Sequence, residues 1–228
     1  MTTIFETRQD TLTSLTDGNT PPQALLRMGI QAQANKWDLL ALQGRMFNVK
    51  QTTVGTVEVP ADANNAGIVL TAPTFRFTVP TGWTVFPRRL QMALLMVATA
   101  IDVEIALVYT DTNSFTSATA STTLVPLNWR TDNPRTSAVT NCVVFGTGDL
   151  LEAGLTNVRA LYQQCFPLDM TFGTSYDSDI NIYHEFDDLH PIVGPASVLL
   201  YFASKTETAT FYFNMDWAEV PTENAVSV

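Results

Sequence analysis

Between residues 197 and 221 large apolar side chains recur with a period of two. Val198, Leu200 and Phe202 interleave with Leu199, Tyr201 and Ala203; beyond Lys205-Thr206-Glu207, Phe211, Phe213, Met215 and Trp217 alternate with Thr210, Tyr212, Asn214 and Asp216. Successive side chains of a strand point to opposite faces, so this pattern predicts two half-buried antiparallel strands, and the short polar turn predicts that they pair as a hairpin. The same texture at 75–79 and 101–109 extends the reading to an antiparallel β protein. Strands are predicted at 46–51, 67–72, 74–79, 90–98, 101–110, 124–129, 142–145, 170–172, 180–186, 198–202 and 210–217. Clusters such as Val79-Pro80-Thr81-Gly82-Trp83 and Thr131-Asp132-Asn133-Pro134 supply the turns between them, and many short strands so punctuated predict a two-sheet sandwich or a barrel.

Two stretches depart from this texture. Leu151, Leu155, Val158, Tyr162 and Cys165 step by four, three, four and three, with Asp149 and Glu152 placed as a capping pair, so the spacing predicts a helix crossing between strands. The first 20 residues are Thr-rich and weakly apolar and end in the breaker cluster Asp17-Gly18-Asn19-Thr20-Pro21-Pro22, which predicts an extended arm. Residues 23–28 and 35–42 then have helix-forming composition, with Gly29 and Gly44 as ends. The chain therefore divides into an N-terminal arm with a short helical linker, 1–43, and a β-sandwich domain, 44–228.

Composition fits one domain of 228 residues: 46% of them are hydrophobic, with thirteen Phe and four Trp, enough for a core that needs no disulfide or metal. No apolar run reaches the roughly 18 residues that would span a bilayer, and the first residues lack the basic-then-apolar order of a secretory signal, so neither is expected. Charge changes the picture more. From residue 160 onward ten acids face the single base Lys205, which concentrates nine of the chain's ten net negative charges there. An acidic field repels phosphate, so nucleic acid is not an expected partner. The acidic third reads either as a solvated surface or as a face for a basic partner or cations. Cys142 and Cys165 are read as buried free thiols, with a disulfide between them left open.

Candidate chemistry is sparse. His184-Glu185-Phe186-Asp187-Asp188-Leu189-His190 holds both histidines and three acids, but not the two histidines four apart on a helix that a metalloprotease needs. His184 shares a strand face with Phe186 and Asp188, so a ligand set would need the following loop to fold back, and the segment reads as a solvated strand end. Asp177-Ser178-Asp179-Ile180-Asn181, with Asp188 in twelfth place, resembles a calcium loop until Ile182 occupies the position that requires Gly; clustered loop carboxylates remain as a calcium site shared between loops. No serine sits in a nucleophile elbow, neither cysteine has a nearby histidine, and Gly146-Thr147-Gly148 lacks the lysine of a phosphate loop. Trp83 and Trp129, in turn-rich segments, read as packing or as platforms for sugars; Trp217 reads as core or subunit contact. No catalytic, cofactor-binding or metal residue is assigned, and the chain is read as non-enzymatic. A cupin-like metal enzyme would need more than His184 and His190.

Phe75-Arg76-Phe77-Thr78-Val79-Pro80-Thr81-Gly82-Trp83-Thr84-Val85-Phe86-Pro87, followed by a long apolar strand, and the closing Phe211-Tyr212-Phe213-Asn214-Met215-Asp216-Trp217-Ala218-Glu219-Val220-Pro221 resemble jelly-roll structural proteins of tailed-bacteriophage virions, over residues 34–221. The resemblance implies an all-β, antiparallel jelly-roll-like sandwich with an N-terminal arm and one or two short helices. It also implies a capsid decoration, vertex or tail-associated protein, located in the virion and assembled in the host cytoplasm. Its partners would be other virion proteins and copies of itself, a trimer being favoured, without nucleic acid, membrane or cofactor. The strand at 90–97, apolar on both faces, and Tyr201, Tyr212 and Trp217 agree with self-association; burial of that strand under the predicted helix explains it equally. The alternative is a carbohydrate- or receptor-binding module that uses Trp83, Trp129 and the acidic loops.

Overall fold

The computed structural model of the chain describes residues 24–25, 31–32, 36–50, 62–63, 67–95, 101–111, 121–132, 134–145, 155–168, 180–186, 190–204 and 210–225. In chain order its elements are β1 (Ala24–Leu25), β2 (Gln31–Ala32), α1 (Lys36–Leu42), β3 (Met46–Lys50), β4 (Asp62–Ala63), β5 (Phe75–Val79), β6 (Trp83–Leu95), β7 (Ile101–Thr110), β8 (Ser121–Thr123), β9 (Leu127–Asn128), β10 (Thr140–Phe145), β11 (Arg159–Leu168), β12 (Ile180–Glu185), β13 (Ile192–Val193), β14 (Ala196–Ser204), β15 (Thr210–Pro221) and α2 (Thr222–Ala225). Among the described residues, one sheet runs β11-β7-β14-β5-β10-β8, with β4 added on β14, and the other runs β12-β6-β15-β3-β9, with β13 added on β6. The two antiparallel sheets pack as a sandwich.

The alternation read from the sequence explains the core. Phe75, Phe77, Ile105, Leu107, Val198, Leu200 and Phe202 point inward from the first sheet and meet Phe47, Leu90, Phe211, Phe213, Met215 and Trp217 of the second. Rings interlock across the interface: Phe77 stacks on Trp217 at 4.9 Å and Phe202 on Phe211 at 5.0 Å. Such contacts between rigid rings fix how the two layers sit on each other.

The predicted hairpin is not formed. β14 lies between β7 and β5 in one sheet, whereas β15 lies between β6 and β3 in the other, so the two runs face each other across the core rather than pairing. An apolar alternation tells which side is buried but not whether the partner is beside the strand or opposite it. Burial gives the physical reason for the central place of β14: residues 196–203 are buried on both faces. Its outer face is lined by Leu199 and Tyr201, which join Ala106, Val108, Val143 and Phe145 in a second apolar layer packed by Ile68, Ala72 and Leu155. A strand apolar on both sides is stable only where both sides are covered.

Three further expectations are corrected. The helix expected through Val158, Tyr162 and Cys165 is instead β11, an edge strand paired with β7 from Arg159 to Leu168 with a register shift between Ala160 and Tyr162. As an edge strand, with Gln163, Gln164 and Cys165 exposed, it lacks a period-two alternation of apolar positions, and its pairing to a long neighbour overrode their helical spacing. The run at 67–72 is no strand: Ile68 and Ala72 pack on the outer apolar layer, tied down by the Tyr201 hydroxyl donating to the Leu70 carbonyl at 2.8 Å. Ala24 and Leu25, read as helical, pair with Gln31 and Ala32 instead, since so short a run cannot bear the cost of helix nucleation. The strand expected at 170–172 lies outside the described residues, as does the capping pair Asp149 and Glu152.

α1 forms where composition predicted it. It ends in a Schellman motif, with the Gly44 and Arg45 amides donating to the Ala41 and Leu40 carbonyls and Gly44 at φ +66°. Trp37 and Leu40 dock on Met46, Phe86 and Ala218, which covers one end of the outer face of the six-stranded sheet. At another tight approach, a Cβ on Gly194 would stand 2.1 Å from the Pro80 carbonyl oxygen. Gly194→Ala should therefore force backbone apart and cost about 2 kcal/mol. Urea denaturation measures this, and an unchanged midpoint would contradict that close approach.

Candidate functional site

Beyond the end covered by α1, the outer face of the six-stranded sheet carries the outward half of the same alternation. Strand register sets these side chains in rows. Asn181, Ala93 and Tyr212 form one; Tyr183, Gln91, Asn214 and Lys50 the next; Glu185, Arg89, Asp216 and Asn48 the third. Each row crosses β12, β6 and β15, and the second and third reach β3.

The third row is a closed polar network. Asp216 is fully buried, and a buried carboxylate is tolerated only when paired and hydrogen-bonded. Arg89 Nε donates to Asp216 Oδ2 at 2.6 Å, and Asn48 Nδ2 donates to Asp216 Oδ1 at 2.5 Å. The network climbs into the second row: Asn48 Nδ2 also donates to Asn214 Oδ1, and Asn214 Nδ2 to Gln91 Oε1 at 3.0 Å. Arg89 lies 6.0 Å from the centre of the Tyr183 ring, and the Tyr183 hydroxyl donates to Glu185. The two upper rows are left as a trough of about 690 Å³ lined by Lys50, Gln91, Ala93, Asn181, Tyr183, Tyr212 and Asn214.

A second buried carboxylate joins the two sheets. Glu219 on β15 accepts from the Ser137 hydroxyl at 2.5 Å, the Ala138 amide at 2.6 Å and the Trp217 indole at 2.8 Å. Residues 134–139 lead into β10, so this side chain clamps a loop of one sheet to a central strand of the other. Burial raises its pKa above the ordinary carboxylate value, and hydrogen bonds from Ser137, Ala138, Trp217 and the Val139 backbone only partly oppose that. Burial, with the charge of Glu219 second, pushes the Cys142 thiol up to about 12, so at neutral pH it stays protonated and poorly nucleophilic.

The residues singled out from the sequence are dispersed. His184 points inward and packs between Tyr162 at 4.5 Å and Phe186 at 4.6 Å, closing the side of the sandwich where β11 and β12 are the edge strands. It is thus a packed aromatic rather than part of a solvated strand end; His190, exposed, lies 6.5 Å from Phe186. Asp177, Ser178, Asp179, Asp187 and Asp188 lie outside the described residues, within which no three His, Cys, Asp or Glu side chains gather as a metal site. Cys142 and Cys165 are both free; Cys142 is buried, but Cys165 is exposed on edge strand β11, contrary to expectation. Trp217 belongs to the core, and Trp83 packs partly buried against it. The Arg88 guanidinium sits 4.8 Å over the Trp129 ring and 5.7 Å from Trp37, which holds one face of the exposed Trp129 ring against the body. Trp129 keeps 39% of its surface exposed and Trp83 is half-buried; neither the trough nor the Glu219 clamp was anticipated. The signal for the trough lay in Gln91, Asn181, Tyr212 and Asn214, of which Asn181 was read with the calcium loop, Tyr212 with self-association and Gln91 within a strand apolar on both faces. No protein-family model, curated protein or solved structure matches the chain.

Proposed function

We propose that this chain is a non-enzymatic virion structural protein, a jelly-roll sandwich attached to a capsid or tail surface. The observation that carries the reading is the nesting of its strand pairs. β3 pairs with β15, β5 with β14, β6 with β12 and β7 with β11, so the first strand meets the last and each later strand meets an earlier partner in turn. Along the chain β3, β5, β6 and β7 alternate between the sheets, and β11, β12, β14 and β15 alternate back. A long antiparallel ribbon wrapped in this way yields two Greek keys, the arrangement found in viral capsid and lectin jelly rolls. Fold alone does not fix function. The virion role rests also on the resemblance of 75–87 and 211–221.

Of the residues that the sequence suggested for self-association, Tyr212, half-buried, faces outward. Tyr201 and Trp217 are buried inside the protomer, and on β6 Leu90 and Met92 face the core while Gln91 and Ala93 face outward. Exposed Leu42, Val125, Leu127 and Trp129 around the short edge strand β9 supply a better apolar contact. Mass measurement of the purified chain should give a trimer. Peptide mapping and electron microscopy of particles made by the encoding genome should find the chain on their surface, and its absence from them would overturn the reading. Deleting residues 1–22 should leave the melting temperature within about 2 °C while weakening attachment or self-association; loss of the folded body would show the arm to be part of the core.

A further inference from the structure

We propose that the trough on the outer face of the six-stranded sheet binds a saccharide bearing a carboxylate. This site is independent of the virion role and lies elsewhere than the tryptophans that the sequence suggested for sugars.

Its size suits a small ligand. About 690 Å³ falls within the range of small-molecule sites. From β12 to β3 it spans three strand spacings, about 14 Å, and its two rows are about 7 Å apart along the strands. Ala93 makes the low floor, since its methyl sits between Asn181 and Tyr212 in the first row. Tyr183, more than half exposed, and the half-buried Tyr212 stand on either side.

The chemistry of the lining selects the ligand. The Gln91 amide nitrogen, the Asn181 amide, the Tyr212 hydroxyl and the Lys50 ammonium have no hydrogen-bond partner among the described residues. Side-chain amides and a phenol offer donors and acceptors together, which is what sugar hydroxyls, themselves both donor and acceptor, require. Tyrosine rings present flat apolar faces to the C–H faces of a sugar ring. The Gln91 amide is already oriented, because its oxygen is held by Asn214, which is held in turn by the Asn48–Asp216–Arg89 network. Such prior ordering lowers the entropy lost on binding.

Charge narrows the class further. Lys50 is the sole formally charged residue lining the trough, and it has no carboxylate partner among the described residues. Asp216 is neutralised by Arg89, so the floor beside Lys50 carries no opposing unpaired charge. In a chain of net charge −10 this is a cation in an otherwise neutral lining, with Glu185 kept to the far edge of the sheet on β12, and it is matched by one carboxylate on an otherwise neutral, hydroxyl-rich ligand.

An array of immobilised sialic-acid- and uronic-acid-containing oligosaccharides, beside their neutral counterparts, tests this on the full chain, followed by calorimetric titration with the free form of the best-retained sugar. Wild type should prefer acidic sugars. Asn181→Ala and Tyr212→Phe should each weaken binding about fivefold to tenfold, the loss expected of one hydrogen bond. Lys50→Gln should abolish the preference for acidic over neutral sugars. All three variants sit on the solvent side, and unchanged circular dichroism and melting temperature confirm that they fold. Retention of no glycan, retention of neutral glycans only, or binding indifferent to all three substitutions would each overturn the proposal. So would conversion of a wild-type oligomer to monomer by Tyr212→Phe without any glycan binding, which would make the trough a contact between copies.

Discussion

Trp217→Ala should lower the stability of the fold by about 4 kcal/mol, a large part of the roughly 5 to 15 kcal/mol typical of a domain. Trp217 is fully buried at the centre of β15, stacked on Phe77 of the opposite sheet, and its indole N–H donates to Glu219 at 2.8 Å. Truncation thus removes the largest side chain of the interface, leaves a cavity that rigid neighbouring strands cannot close, and deprives a buried carboxyl group of a donor. Trp217→Phe keeps the stacked ring and loses chiefly the N–H, so it should cost about half as much. Equilibrium urea denaturation of both variants separates these terms. An alanine variant within about 1 kcal/mol of wild type would mean that the indole is not between the sheets.

Glu219→Ala should cost about 3 kcal/mol, because it strands the Trp217 and Ala138 N–H groups away from acceptors as well as breaking the link to Ser137. The same group gives the stability a pH dependence of known sign. Its pKa is raised on folding, with burial the main cause, so over the interval between the ordinary carboxylate value and the raised one the folded chain holds a proton that the unfolded chain has released. The stabilisation from that proton is complete below the ordinary value and is lost as pH rises through the raised one. Measured from about pH 4 upward, wild type should therefore lose stability relative to Glu219→Gln, which cannot titrate. A constant difference between the two would show that Glu219 titrates as it does in the unfolded chain.

What the sequence disclosed follows from how local each signal is. Inward faces at 75–79, 101–109, 198–202 and 211–217 were legible because period-two alternation depends on burial alone, and α1 was legible because Gly44 closes it within a few residues. Partnership was not. The placement of β14 and β15 in opposite sheets depends on strands far earlier in the chain, and β11 takes its conformation from β7. The site was legible least: Gln91, Asn181, Tyr212 and Asn214 come from three strands and carry no motif, becoming a site only once register sets them side by side. The histidines and acids that looked like chemistry were close in sequence, whereas the groups brought together in space were not.

The nested pairing also bears on when the protein can fold during synthesis. β15 occupies the middle of its sheet, between β6 and β3, yet it is made after every other strand of the sandwich. Until it leaves the ribosome, β3 and β6 have no strand between them, and Phe77 lacks the indole it stacks on. The half-built chain must carry exposed apolar strand edges for most of its translation, an aggregation risk for which chaperones exist. Closure then joins strands from opposite ends of the domain, which places this protein among the slow folders, in the millisecond-to-second class of sandwiches governed by distant contacts.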